Sequence, residues 1–491
     1  MTGQTMLRKL CSLLGALAML TACRVGPHYH APVPPNGSIA PLVSVDDQLE
    51  STAMPPDAWW HLYKDSRLGE LIIEALRANR DLAIAEANLN AAKAVLSRAR
   101  ALRYPSTAIS VSGVYGRDPT TDEILELTSR SPKSTWILED IFEASYELDL
   151  FGHVHNTIEA ASTSADAVRA ERDAVRVVVA ALTARSYAAV CALGEQLAVA
   201  RHSLEVVSHQ ADIVTQRYGA GGNSEFDVVR AQALVAQARS YIPSLEGERR
   251  TALFELAAVL GRPPSEAPHD IESCVAPPHL VALIPVGDGA ALIRRRPDVR
   301  RAERRLASAT ARVGVAIAEL YPIIRLLGFY GGVATEFNQL GTNAGAAWGA
   351  GPSISWTFPN QLGARARVRQ AEANRAADLA TFDATVLGAL KETEQALTLY
   401  RALMENHASL VDARARIQRS FDIATERYRA GGVSNLDLLT TEQSMVAADS
   451  AVASSETALV QGQIAVFKAL GGGWGEPAAQ SVLNEALASP H

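Results

Sequence analysis

The chain has 491 residues, enough for two or three ordinary domains. Its apolar fraction is 48% while its aromatic fraction is only 6%, so Ala, Val and Leu supply the apolar surface, which argues against a large aromatic core and favours long, closely approaching helices. A formal net charge of −7, without a basic stripe or interleaved aromatic and basic residues, excludes a nucleic-acid partner.

Arg8 and Lys9 precede an apolar run from Leu10 to Leu20 that closes on Leu20-Thr21-Ala22-Cys23. The pattern predicts an export signal over residues 1–22, and about a dozen apolar residues are too few to persist as a spanning helix. Its ending is similar to the bacterial lipobox, in which the Cys is acylated and becomes the new terminus; a plain signal peptide with an incidental Cys is the alternative. Acyl chains on Cys23 would anchor the chain, and Arg24, where an Asp would resemble a retention signal, points to the outer membrane. Residues 23–60 are expected as a lipidated tether, because Gly26 to Pro41 is Pro-rich and has neither helical nor strand period. With Cys11 removed and Cys23 acylated, only Cys191 and Cys274 are left to pair, and nothing in their spacing asks for a disulfide.

Order is expected from Trp59-Trp60 into an amphipathic helix over about 66–103, where Leu68, Leu71, Ile72, Ala75, Leu82 and Leu89 recur at helical spacing. The period then switches to strands over about 106–116 and 135–149. Thr107, Ile109, Val111 and Tyr115 alternate with Ser110 and Ser112, and Trp136, Leu138, Phe142, Tyr146 and Leu148 stand opposite Glu139, Glu143 and Glu147, with Asp140 breaking the apolar side. A helix over about 153–217 runs into Arg217-Tyr218-Gly219-Ala220-Gly221-Gly222-Asn223-Ser224-Glu225-Phe226-Asp227, and another follows over about 224–260. Gly-Gly ends the first helix, Ser224 caps the second and Asp227 sits in its first turn, so the stretch reads as a tight hairpin tip.

The pattern then repeats: a helix over about 296–320, strands over about 322–334 and 346–358, and helices over about 362–428 and 434–470 around a second tip, Arg427-Tyr428-Arg429-Ala430-Gly431-Gly432-Val433-Ser434-Asn435-Leu436-Asp437. Asp81 to Pro105 aligns without a gap on Asp298 to Pro322, and both hairpins end in Leu-Gly, at Leu260-Gly261 and Leu470-Gly471. The chain therefore divides into repeat 1 (61–265), a connection with repeat 2 (266–472) and a tail (473–491). Helices of some 65 residues, ~100 Å long, survive only by packing side by side, and their many Arg and Glu residues argue against a membrane span. The strands have the length of tilted membrane strands and carry Trp near their ends. Four cannot close a barrel and an open edge in lipid is prohibitive, so copies must associate.

Together the lipobox Cys with Val25-Gly26-Pro27, Trp59-Trp60 through Asp81-Leu82, Tyr146-Glu147-Leu148-Asp149-Leu150-Phe151-Gly152, Arg295-Arg296-Pro297-Asp298-Val299-Arg300 and the two tips resemble the outer membrane factor family, the TolC-type efflux outer membrane lipoproteins of the NodT kind. The resemblance implies a mixed α and membrane β fold: a TolC-like homotrimer with four strands per chain and twelve in total, continued by a long periplasmic α-helical barrel. The implied function is a passive exit duct for drugs or other small molecules, working with a periplasmic adaptor (membrane fusion) protein and an inner-membrane RND-type transporter. A duct for type I protein secretion and a periplasmic coiled-coil adaptor lipoprotein are the alternatives.

By the same resemblance the tips dock the adaptor, through Arg217, Tyr218, Gly221, Gly222, Ser224 and Asp227 and through Arg427, Tyr428, Gly431, Gly432, Ser434 and Asp437. Any capped hairpin would need the Gly, Ser and Asp, and Arg429 replaces Gly219, so the tips are not equivalent. Asp212, Gln216, Asp422, Glu426 and Arg427 are periplasmic gate candidates, with ordinary exposed charge as the other reading, and Glu139, Glu143 and Glu147 are expected in the barrel lumen. Phosphate-loop, zinc-protease, nucleophile-elbow and dinucleotide motifs are missing from the sequence, so no enzyme, no cofactor beyond the lipid on Cys23 and no metal is expected; His28 and His30, like His153 and His155, read as solvated pairs.

Overall fold

The computed structural model describes residues 24–44, 50–51, 53, 56–117, 134–280, 284–334, 336, 338, 342 and 346–473. The expected signal, Cys23 and the tail beyond Gly473 lie outside the described residues. In chain order the elements are β1 (Glu50–Ser51), a 3₁₀ turn (Trp59–Tyr63), α1 (Ser66–Ala78), α2 (Arg80–Ala101), β2 (Ser106–Gly116), β3 (Thr135–Glu147), α3 (His153–Gly219), α4 (Glu225–Val259), β4 (Ile284–Pro285), α5 (Gly289–Arg295), α6 (Pro297–Ala318), β5 (Ile323–Ala334), β6 (Ala346–Ser355), α7 (Leu362–Arg429) and α8 (Asn435–Ala469). They fall into two compact units. One comprises residues up to Pro32, Asn90–Ala167 and Ala302–Thr381; the other comprises Val33–Leu89, Val168–Arg301 and the chain from Phe382.

The first unit holds an antiparallel sheet of order β2-β3-β5-β6. Its register carries the alternation of each strand onto common faces: Ile109 lies opposite Phe142, Tyr115 opposite Trp136, Phe142 opposite Tyr330 and Tyr330 opposite Trp348. These apolar side chains are largely exposed. The other face carries Ser110, Ser112, Glu139, Glu143 and Glu147, and β5 dilutes its polarity with Leu327, Phe329 and Val333, the physical reason for the weaker alternation of that strand. Aromatic pairs mark both ends of the sheet. Tyr115 packs edge-on to Trp136 at 5.6 Å, while Phe151 stacks on Tyr321 and Trp356 on Phe358, both at 4.6 Å. This band-and-girdle arrangement suits a membrane strand. Asp140 stands on the apolar face between Val111 and Gly332, and nothing in the structure explains it.

In the second unit the helix expected over 66–103 is two helices. Asn79 is extended, with its side chain accepting from Leu82 N at 3.1 Å and its Nδ2 donating to the Val259 carbonyl at 2.9 Å. A capping side chain satisfies N–H groups that a continuous helix would satisfy from its own preceding turn, so the break is stabilised from outside the segment. The second repeat does the same at the aligned residue. Arg296 donates to the Ala469 carbonyl at 2.7 Å, grips Asp298 through two bonds of 3.0 and 2.8 Å, and reaches Glu392 on α7 at 2.7 Å. Burial alone would raise the Asp298 carboxyl, but the bonds from Arg296 hold it below its ordinary range.

The segment expected as a tether is not free. Val43 and Ser44 N–H groups donate to Glu394 at 2.7 and 2.9 Å, Arg401 donates to the Ser44 carbonyl at 2.5 Å, and Trp59 stacks on Phe467 at 4.8 Å inside the core. In the other unit Arg24 donates to Asn156 at 2.7 Å and bonds Glu159, and Tyr29 donates to Glu303 at 2.8 Å. Extended backbone leaves its own polar groups unpaired, and here helix side chains take them up.

Cys191, buried on α3, is disulfide-bonded to Cys274 across 83 residues. The spacing gave no reason to expect the bond, because the folding of α4 back along α3 is what brings the two together. Gly194 lets that connection approach, since a Cβ there would run into the Cys274 carbonyl and lie 2.8 Å from Arg249 Nη2. Among the described residues one window of α3 is apolar and long enough to cross a membrane, but 72% of it is buried inside the protein, as in a core helix.

Candidate functional site

Both hairpin tips are built by the same backbone chemistry. At the first, Gly222 N donates to the Arg217 carbonyl at 2.8 Å and Gly221 N to the Tyr218 carbonyl at 2.9 Å, with Gly221 at φ +76°. At the second, Gly432 N donates to Arg427 at 2.8 Å and Gly431 N to Tyr428 at 3.1 Å, with Gly431 at φ +77°. This double bond pattern around a left-handed residue closes a helix C-terminus, and Gly adopts it without strain. The next helices start on reciprocal caps. Ser224 Oγ accepts from Asp227 N at 3.2 Å while the Asp227 carboxylate accepts from Ser224 N at 3.0 Å and Oγ at 2.7 Å; Ser434 and Asp437 do the same at 3.2, 3.2 and 2.6 Å. Ser224 holds the Asp227 carboxyl below its usual range through its backbone and then its hydroxyl, and Ser434 holds Asp437 through its hydroxyl and then its backbone. Ser434→Ala is therefore expected to destabilise the start of α8 by about 1 kcal/mol, read as faster amide exchange in its first turn; unchanged exchange there would rule the cap out as a stabilising element.

The turn thus accounts for the Gly, Ser and Asp positions structurally. The Arg and Tyr positions separate the two copies. Tyr218 is exposed, but Tyr428 is 6% exposed, with the Arg217 guanidinium 4.3 Å above its ring. Tyr428 therefore does not present its ring to a docking partner, as its sequence position implied. Instead it joins the two hairpins within one chain by a cation–π contact, favoured because the ring face is electron-rich. Beside exposed charges such as Arg427 and Arg429, the tips also turn outward apolar side chains that were missed: Phe226, 72% exposed, with Val229 and Leu436. Their position just inside the capped first turns was the available signal.

Of the gate candidates, Asp422 accepts from Gln418 of its own helix at 2.8 Å, while Asp212, Gln216, Glu426 and Arg427 are exposed. Farther along α8 lies a residue that the sequence reading passed over. Glu442 is 1% exposed, and among the described residues neither of its carboxylate oxygens has a hydrogen-bond partner. Burial alone pushes it up to about 7. Its spacing from the buried Leu438 and Met445 places it on the inner face of the helix; an acid in that apolar row was the legible sign.

On the polar face of the sheet, Glu147 is engaged by Arg325 at 3.3 Å and His153 at 3.0 Å, and Glu139 accepts weakly from Ser112 at 3.4 Å. Of the three, Glu143 and Glu139 leave the most negative charge uncompensated on that face. His155 lies 3.2 Å from Arg24, so the His153 and His155 rings turn to different partners.

The pattern of the outer membrane efflux protein family matches residues 71–262 and 290–472. Nodulation protein T of Rhizobium leguminosarum bv. viciae is 28% identical over 460 residues, spanning 94% of this chain and 92% of that protein. The probable outer membrane lipoprotein SilC of Salmonella typhimurium is 27% identical over 488 residues, spanning 95% and 99%. Among solved structures, the outer-membrane channel OprN superposes with a TM-score of 0.85 at 32% identity, over 92% of this chain and 100% of that one.

Proposed function

The chain belongs to the outer membrane efflux protein family, and from that premise we propose that three copies join their sheets into one twelve-stranded barrel that conducts small molecules out through the outer membrane. An efflux duct of the outer membrane is not an enzyme. The observation that carries the trimer is the four-stranded sheet, whose outer strands β2 and β6 each have one neighbour among the described residues and whose apolar face is exposed. Unpaired strand edges are untenable in lipid, and pairing β2 of one copy with β6 of the next removes them.

In this reading Cys23 is acylated and holds the chain at the membrane. The hairpins form the periplasmic gate, a periplasmic adaptor docks on Phe226, Leu436 and the outward Arg427 and Arg429, and an inner-membrane RND-type transporter selects the substrate and supplies the energy. The Arg217–Tyr428 contact holds the hairpins of one copy together, and Asp212, Gln216, Asp422, Glu426 and Arg427 reach neighbouring copies. Each exposed pair contributes little, ~0.2–1 kcal/mol, but three-fold repetition sums them.

Conductance in a planar bilayer tests the reading. The undocked wild-type protein is expected to leak weakly, and Tyr428→Ala to leak severalfold more. Arg427→Glu is expected to raise conductance through the contacts between copies. A wild-type leak in Tyr428→Ala would remove the hairpin contact from the gate, and a purified protein that stays monomeric and soluble without detergent would end the channel reading altogether.

A further inference from the structure

Away from the tips, α3 and α8 meet through a set of titratable groups that the duct reading does not use. Glu195 on α3 and Glu456 on α8 are each the neighbour of a residue that ties the two helices, Gln196 Nε2 donating to Thr457 Oγ1 at 2.9 Å, and Glu195 Oε2 is buried with no hydrogen-bond partner among the described residues. His279, from the connection between the repeats, brings Nε2 to 3.1 Å from Glu456 Oε1, with the Glu456 side chain 15% exposed and the imidazole 63% exposed. That connection is fastened nearby by the Cys191–Cys274 disulfide and by Arg249 of α4, which donates to the Glu272 and Cys274 carbonyls at 2.6 and 2.7 Å. Other titratable or charged groups nearby among the described residues are His407 of α7, whose Nδ1 is 2.9 Å from Ser455 Oγ, Glu248 of α4, which lines a cavity with Gln196, and the Arg201–Glu246 pair farther along α3 and α4. Among the described residues no three His, Cys, Asp or Glu side chains are placed to hold a metal ion, so the ligand these groups suit is a proton.

Two neighbouring carboxylates cannot both stay ionised cheaply, so one tends to hold a proton that the other can accept. Burial, and then the charge of Glu456, pushes the Glu195 carboxyl up to about 7.

We propose that Glu195, Glu456 and His279 form a proton-dependent clasp that binds α3 to α8 and to the connection, and that slackens when Glu195 ionises. With the proton in place, Glu195 donates to Glu456, which also accepts from His279. Without it, two like charges face each other and the helices separate locally, while the disulfide keeps the connection attached to α3. Because α3 and α8 belong to different hairpins, the clasp couples the two. The sign follows from the raised carboxyl: the contact is tightest below the ordinary carboxylate range and is lost as pH rises toward and through 7.

Amide exchange of the full-length protein in detergent, corrected for the intrinsic rate, tests this without requiring that the chain conduct. Local opening over residues 452–460 is expected to rise about tenfold between pH 5.5 and pH 8, the factor equivalent to one pKa unit. Glu195→Gln keeps the hydrogen bond and cannot ionise, so the rise is expected to fall below about twofold, and Glu456→Gln is expected to flatten the profile likewise. Glu442→Gln, elsewhere on α8, is expected to leave the rise at 452–460 intact. A flat wild-type profile, or a Glu195→Gln profile as steep as wild type, overturns the clasp.

Discussion

Replacing Val111 by Lys is expected to abolish stable assembly of the protein in the outer membrane. Val111 is the middle residue of β2, on the face that continues through Ile109, Phe142, Tyr330 and Trp348, and it is 70% exposed. A Lys at the midplane of a lipid-facing strand costs ~2–4 kcal/mol, and in the proposed trimer that penalty falls on every copy. Domains are typically stable by only ~5–15 kcal/mol, so three such penalties approach the whole margin. Ser112→Lys, one residue along on the opposite face beside Glu139, should assemble, because a strand turns successive side chains to opposite sides. Heat-modifiable migration on gels and recovery in the outer-membrane fraction separate the two variants. A Val111→Lys protein that assembles as well as Ser112→Lys would mean that the apolar face is not the lipid face.

The second large effect is expected from the disulfide. Cys191→Ala with Cys274→Ala opens a loop of 83 residues that contains the end of α3, the first tip and all of α4. On the chain-entropy view, loss of that constraint from the unfolded state lowers stability by about 4.5 kcal/mol. The double variant is preferable to either single one, which would leave a thiol at the site. We expect a lower melting temperature for the double variant than for wild type under oxidising conditions, and no difference once both are fully reduced. Identical melting in the absence of reductant would show that the bond adds nothing to stability. Oxidation fits the exported location, since disulfides persist outside the cytoplasm.

What could be read from the sequence was whatever is encoded by neighbours along the chain. A period of two sets which strand residues share a face, so Ile109, Phe142 and Trp348 were assigned to the apolar side before the register was known, and the register then aligned them. The hairpin tips were equally legible, because Gly-Gly, Ser and Asp at fixed offsets are local chemistry that completes its own hydrogen bonds within six residues. The duplication was visible for the same reason: two stretches under the same local constraints keep the same residues.

The tertiary structure alone decided what depends on partners far away in the chain. Asn79 breaks a pattern that reads as one helix because Val259 is there to receive its side chain. Tyr428 and Tyr218 occupy equivalent places in the two tips, yet Tyr428 is buried beneath an arginine from the other hairpin while Tyr218 is exposed. Cys191 and Cys274 pair, Gln196 bonds Thr457, and Ser44 of the expected tether is laced to α7, each across dozens to hundreds of residues. The physical reason is that local periodicity specifies which side of an element is apolar, while which side chains meet across that side is fixed only when the elements pack.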